Sequence, residues 1–206
     1  MVNGLWGKKV GMTQIFTENK AVPVTAIDVA DWYVTALRTQ ERNGYDAVQI
    51  GCVKTKYADQ GFVADWVKKP NQYFNFFREV RLAAPTEGLA VGQPVDISTI
   101  VKEGDIVDVA GLTRGRGFAG VVKRHRFGGG RGSHGDKTGR RPGSSGHMRA
   151  SGEVVKGKRF PGHMGHERRM IRNLEVVKVL PEERVIFIKG AVPGHSGSLL
   201  FVRKHA

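Results

Sequence analysis

Cysteine is almost missing. Among 206 residues only Cys52 is present, so no intrachain disulfide can form. In the strand-like run AVQIGCV it reads as a small buried apolar residue, not a reactive thiol. Long apolar runs are lacking as well. None approaches the roughly 20 residues that cross a bilayer, and the start, MVNGLWGKKVGM, contains no signal-peptide apolar region. These absences predict a soluble chain in a reducing compartment. No heptad repeat, recognition-helix pattern or zinc-finger spacing occurs, which sets aside the common DNA-reading architectures. A nucleophile–base–acid set is also missing. Ser133-His134 and Ser144-Ser145 sit in glycine-rich sequence without a rigid frame, and catalysis needs preorganised groups. The chain is therefore read as a non-enzyme without a cofactor.

Acids are scarce in one place. Residues 114–172 hold 16 of the 33 Lys and Arg but only three acids, Asp136, Glu153 and Glu167, for a net charge of +13 out of +14. The rest of the chain is close to neutral, so the charge marks where a partner binds and is not a general surface property. The same stretch has 15 of the 28 glycines and few large apolar side chains. Such a segment buries too little to offset an ordering entropy of about 1–2 kcal/mol per residue. It is expected to order around an anion. Arg outnumbers Lys 12 to 4 there. Arg forks phosphate and stacks on bases, which points to nucleic acid. A membrane surface would need an apolar helix face, and none is offered. A glycine/arginine strand that threads suits folded RNA, read by shape and phosphate, better than duplex DNA.

Three motifs in this stretch invite other chemistry. Residues 115–120 (GRGFAG) fit G-x-G-x-x-G after a strand and before a short helix over 118–125, with Asp136 near the offset of a ribose-binding acid. No βαβ alternation supports a dinucleotide site, but the glycines still let backbone approach phosphate. Residues 130–138 (GRGSHGDKT) resemble a P-loop, except that Asp136 separates the last glycine from Lys137. Five histidines (His125, His134, His147, His163, His166) lie among 16 cations with no cysteine nearby. That setting opposes a dication even though His163 and His166 could share a helical face, so no metal is assigned. Contact with RNA is the reading for these histidines.

The remaining chain is strand-like. Residues 5–16 (with a bend at Gly11), 21–29, 33–39 and 47–53 read as an antiparallel meander, with a turn at Asn43-Gly44. Residues 94–100, 105–109, 174–180, 185–189 and 199–203 add further strands. About eight short strands with evenly spaced turns suggest a closed β-barrel. Residues 54–85 are aromatic and charged and read as a small, partly helical inserted lobe whose aromatics form its own core. The proposed division is a barrel from 1–53, 90–113 and 173–206, a lobe over 54–89, and an extended loop over 114–172.

Several stretches together resemble a known family. They are 7–16 (GKKVGMTQIF), 44–51 (GYDAVQIG), 107–125 (VDVAGLTRGRGFAGVVKRH), 127–130 (FGGG), 133–135 (SHG), 141–144 (RPGS), 156–158 (KGK), 162–165 (GHMG), 173–177 (NLEVV) and 188–194 (IKGAVPG). In this order they are similar to the bacterial type of the universal large-subunit ribosomal protein three. The resemblance implies a mostly β fold. Its parts are a translation-protein-type β-barrel, a small partly helical inserted lobe and a long basic Gly/Arg-rich extension running into rRNA toward the peptidyl transferase centre. It implies a structural role, binding near the 3′ end of the large-subunit rRNA and early action in assembly. The implied partners are that rRNA and neighbouring large-subunit proteins, with no membrane, small-molecule substrate or second copy of the chain. The location would be the ribosome, in a bacterial cytoplasm in preference to an organelle matrix.

The residues expected to face rRNA are Arg114, Arg116, Lys123, Arg124, His125, Arg126, Arg131, His134, Lys137, Arg140, Arg141, Arg149, Lys156, Lys158, Arg159, Arg168 and Arg169. By position the tip spans 142–152, centred on Gly143, Ser144, Ser145, Gly146, His147, Met148 and Arg149. Two departures occur there. Residues 143–146 read GSSG where the family has GSIG, and 150–152 read ASG where it has TPG. Arg149 stands where some members carry a methylated glutamine, so that modification is not carried over. The lobe over 54–85 matches the family poorly. The rival to this reading is a free-standing RNA-binding β-barrel, a translation factor or RNA chaperone, stacking bases on the aromatics over 73–77.

Overall fold

A computed structural model describes residues 4–17, 20–82, 88–146 and 152–204. Eleven strands are seen among the described residues. They are β1 (Gly4–Thr17), β2 (Lys20–Asp28), β3 (Trp32–Arg38), β4 (Ala47–Val53), β5 (Phe74–Arg81), β6 (Ile106–Leu112), β7 (Phe118–Ala119), β8 (Gly162–His163), β9 (Arg168–Leu180), β10 (Val185–Lys189) and β11 (Leu199–Lys204). Helices are short, none longer than six residues, and among the described residues none is long and apolar enough to cross a membrane. The fold is mostly β. Two compact units emerge, residues 1–112 with 168–206, and residues 113–167.

In the first unit six strands close in the order β1-β11-β6-β9-β10-β2, all antiparallel. Alternation explains the closure. Leu5, Ile27, Val107, Val109, Val176, Ile186, Ile188, Leu200 and Val202 point inward and are essentially fully buried. Each contributes about 1.5–3 kcal/mol through burial. In β1 the pairing shifts register between Lys9 and Gly11. The bend expected at Gly11 is thus a bulge beside it, with Val10 as the extra residue.

The meander expected over the first quarter does not form. β2 pairs with β1 and β10, not with β3. After β2, the Asp28 carboxylate accepts a hydrogen bond from Ala30 N–H at 2.8 Å and Asp31 takes a left-handed φ of 64°. The chain turns out of the barrel there. Residues 33–39 and 47–53, assigned to the barrel from sequence, instead form β3 and β4 of a three-stranded sheet, β3-β4-β5. Periodicity marks a strand without naming its partner. β5 falls in the stretch expected to be the lobe; its sequence, FNFFREVR, lacks alternation because both faces carry large or charged groups. Residues 94–100 are not a strand either. Pro94 makes one bridge to Tyr33, and Ile97–Ile100 form a single helical turn.

The inserted lobe has helical turns over Thr55–Gln60, Ala64–Lys68 and Pro70–Tyr73. Its aromatics do pack on one another. Trp66 stacks on Tyr73 at 5.4 Å and 11°, and Tyr33, Val53, Trp66 and Phe74 form a buried cluster joined by Tyr57, Phe62 and Phe77.

One buried cation fixes the loop between β10 and β11. Lys9 is 9% exposed, and its Nζ donates to the carbonyls of Val192 (3.0 Å) and Gly194 (3.1 Å). Its backbone pairs with the same loop, N–H to Ser198 O and O from Gly197 N–H. Burial holds the Lys9 ammonium below the usual lysine pKa. Lys9→Met keeps the apolar stem but leaves two carbonyls unpaired, at about 1–3 kcal/mol for a buried unsatisfied group. The variant is expected to unfold at a lower temperature in a calorimetric scan; an unchanged midpoint would mean that the loop is held by backbone alone.

Candidate nucleic-acid interface

The second unit holds the basic stretch. Residues 113–167 contain thirteen Lys and Arg against three acids, so most of these cations have no internal counter-charge by stoichiometry alone. The first unit differs, since its ion pairs Arg38–Glu79, Lys189–Glu175, Arg203–Asp108 and Lys204–Asp105 match base with acid.

The unit is not a structureless loop. Its two ends run antiparallel as a ribbon. Thr113 N–H donates to Glu167 O at 2.9 Å, and Thr113 O accepts from His166 N–H at 3.2 Å. Arg116 N–H donates to Met164 O (2.9 Å), and Met164 N–H to Gly117 O (3.0 Å). β7 then pairs with β8, Phe118 opposite His163 and Ala119 opposite Gly162. The helix expected over 118–125 is shorter, Val121–His125, because Phe118 and Ala119 are taken by the ribbon. It ends at Arg126 in a left-handed conformation (φ 61°). Ala119 and Val121 are buried. Arg124 Nη1 donates to Phe160 O at 2.9 Å. His125 Nε2 lies 3.0 Å from the same carbonyl and must carry the proton, since a carbonyl only accepts.

Beyond the helix, residues 130–139 close on themselves. Gly130 N–H donates to Gly139 O at 2.7 Å. Asp136 accepts from Arg131 N–H at Oδ2 (2.6 Å) and from Thr138 N–H at Oδ1 (2.7 Å). A side chain on Gly130 would collide with this carboxylate, so the two positions are interlocked. The acid that spoiled the P-loop match is a loop lock. Farther out, Gly146 bridges Val154.

The sequence-derived residues sort as follows. Arg114, Arg116, Lys123, Arg126, Arg131, His134, Lys137, Arg140, Arg141, Lys156, Lys158 and Arg159 are exposed on this unit, and Arg124 and His125 are half-buried. Arg168 and Arg169 are exposed but belong to the other unit, at the start of β9 opposite Leu112 and Gly111. The basic stretch as drawn from sequence, 114–172, thus overruns the unit by the first residues of β9. Of the tip, Gly143, Ser144 and Gly146 are exposed and Ser145 is half-buried; His147, Met148 and Arg149 lie outside the described residues. His163 and His166 do not share a helix. His163 is in β8 and His166 has φ 53°. Among the described residues no group of three or more His, Cys, Asp or Glu could hold a metal.

Hydrogen bonds to Asp136, first the backbone N–H and side chain of Thr138 and then Arg131 N–H, hold its carboxyl below the usual aspartate pKa. A group depressed in this way contributes stability above its unfolded pKa and loses it as pH falls through the folded one. The loop is therefore kept at neutral pH and released only in acid below the ordinary aspartate range. Asp136→Asn replaces one acceptor with a donor and is expected to speed amide exchange at Arg131 and Thr138, read by NMR at neutral pH. Equal exchange rates in both proteins would show that the carboxylate does not hold the loop.

Comparison with known proteins adds to this geometry. The family model described as ribosomal protein L3 matches residues 86–184. The large ribosomal subunit protein uL3 of Pelotomaculum thermopropionicum is 44% identical over 209 residues, covering 100% of this chain and 98% of its own. That of Streptococcus mutans is 43% identical, covering 98% and 97%. That of Bdellovibrio bacteriovorus is 42% identical, covering 97% and 91%. With identity at this level along its whole length, the chain belongs to the bacterial uL3 (ribosomal protein L3) family.

Proposed function

We propose that this protein is a structural constituent of the large ribosomal subunit that binds rRNA through its basic unit. The family is one of structural ribosomal components, not enzymes. The observation that carries the binding reading is the charge imbalance of 113–167, thirteen bases against three acids, on a ribbon and loops closed by their own backbone bonds. Exposed Arg and Lys neutralise phosphates, and the Arg guanidinium fork suits phosphate geometry. The barrel anchors the protein, and the basic unit penetrates folded RNA near the 3′ end of the large-subunit rRNA. Its outer part, residues 142–152, lies toward the peptidyl transferase centre and buttresses RNA without doing chemistry. Binding early in assembly follows from that role, because a segment threaded through RNA is best placed before the RNA closes around it. Neighbouring large-subunit proteins are the other partners, and the site of action is the ribosome in the cytoplasm. The free-standing reading loses most of its support, since Tyr73, Phe74 and Phe77 pack into the lobe's own cluster and only Phe76, with Arg78 over its ring, stays exposed.

A salt series tests this proposal. Binding of the full chain to a 3′-region fragment of large-subunit rRNA is compared with binding of a chain lacking residues 127–152. The deletion removes Arg131, Lys137, Arg140, Arg141 and Arg149 against one acid, Asp136. At roughly 0.7–0.9 per phosphate contact, the log–log salt slope is expected to fall in magnitude by about 3–4. An unchanged slope would move RNA binding to the barrel or the lobe and refute the proposal.

A further inference from the structure

Phe118 is a large aromatic residue with no core to join. It is 71% exposed, while Ala119 beside it is 4% exposed. It sits directly opposite His163 in the β7–β8 pair, and the two rings meet edge-on at 6.1 Å and 82°. Cations lie close to the pair along the chain, and one lies beside it in space. Arg116 and Lys123 are exposed nearby in sequence. The Arg124 guanidinium is packed on Gly162, next to His163, so closely that a Cβ there would lie 2.6 Å from Nη1. Glycine at 162 is what lets that charge lie on the ribbon.

We propose that Phe118 and His163 form a stacking platform for an unpaired base of RNA. This inference rests on the RNA-binding reading above and names the part of the RNA that the ribbon takes. An exposed ring on a ribbon that also carries exposed arginine and lysine fits a nucleotide on both counts, with the base on the ring and its phosphates on the cations. An acidic protein surface would satisfy the charges and leave the aromatic face without a stacking partner. The base must be unpaired, because in an A-form duplex the bases stack on each other and the narrow major groove excludes side chains. Phe118 was not among the residues picked from sequence. Inside GRGFAG it reads as a spacer, and only the ribbon's period of two turns it outward.

The test uses the full chain, a short single-stranded RNA from the 3′ region of large-subunit rRNA, and the same sequence as a blunt duplex. Phe118→Ala is expected to bind the single strand roughly 5- to 100-fold more weakly, the range for one base–aromatic stack. The duplex affinity should not change. Neither should the salt slope for the single strand, since the ring carries no charge. Phe118→Trp should restore single-strand binding and Phe118→Leu should not. Equal affinity of Phe118→Ala for the single strand overturns the proposal, also where the residue is needed to retain a protein neighbour. So does full affinity of Phe118→Leu. A fall in slope would assign Phe118 to holding the ribbon's cations and overturn stacking as well. If the unaltered chain binds neither RNA, the RNA-binding reading itself has failed.

Discussion

The antiparallel pairing of β6 with β9 is the constraint on which both units depend. In the barrel it sets Leu112 opposite Arg168, so the chain leaves and returns at adjacent points. In the basic unit the first and last residues, Thr113 and Glu167, are then hydrogen-bonded to each other. Closing a long loop becomes expensive when its ends must be found, and the cost grows only slowly with length, about 0.6 kcal/mol per doubling. Once the barrel ladder has fixed the ends, a long excursion costs little more than a short one. The ladder carries its own polar group for this task. Asp108 is 2% exposed, yet its carboxylate accepts from Asn173 N–H at 3.1 Å and faces Arg203. Asn173 takes a left-handed φ of 57° where the register shifts. An acid buried among valines is tolerable only when satisfied in this way.

Much of the barrel was legible in the sequence because most of its strands keep one face wet, β6 with its four successive buried residues being the exception. β10 and β11 alternate cleanly between buried and half-buried residues, while β2 buries Val24 and Thr25 side by side. Strand partners were not legible. β3 and β4 look like barrel strands locally, and what removes them is a turn at Asp28 to Asp31 and the availability of β5. β5 was hidden because its residues are aromatic or charged on both faces. Arg78 lies over the Trp6 and Phe76 rings, so a charge there does not mean open solvent. The single helical turn at Ile97–Ile100 was misread because its β-branched residues favour strands in general.

In the basic unit the charge was legible and the order was not. Side-chain identity announces phosphate binding, whereas the bonds that shape the unit are made by backbone groups. Thr113 with Glu167, Arg116 with Met164 and Gly130 with Gly139 leave no trace in residue type. Asp136 did leave one. An aspartate between Gly135 and Lys137, able to accept from the N–H two residues on, is an Asx-turn signal that the nucleotide-site motifs overshadow. The lesson is specific to glycine-rich basic sequence. A lone acid among many bases is better read as a backbone acceptor than as a charge.

Charge alone would then work against the order that the backbone bonds create. Thirteen cations in one unit repel each other, and the screening length of about 8 Å at physiological salt is comparable to the spacing between neighbouring side chains. Among its described residues the unit has only two strongly buried apolar side chains, Ala119 and Val121, to set against that repulsion. Its neutral backbone bonds contribute about 0.5–1.5 kcal/mol each and do not depend on salt. Adding phosphates removes the repulsion and leaves these bonds in place. The ribbon and the Asp136 loop thus supply the shape, and a bound anion would supply the stability. A sequence with the same bonds and fewer cations would be better ordered alone and would have less to gain from RNA. On the proposed function, the excess of arginine is what would couple this unit's order to RNA.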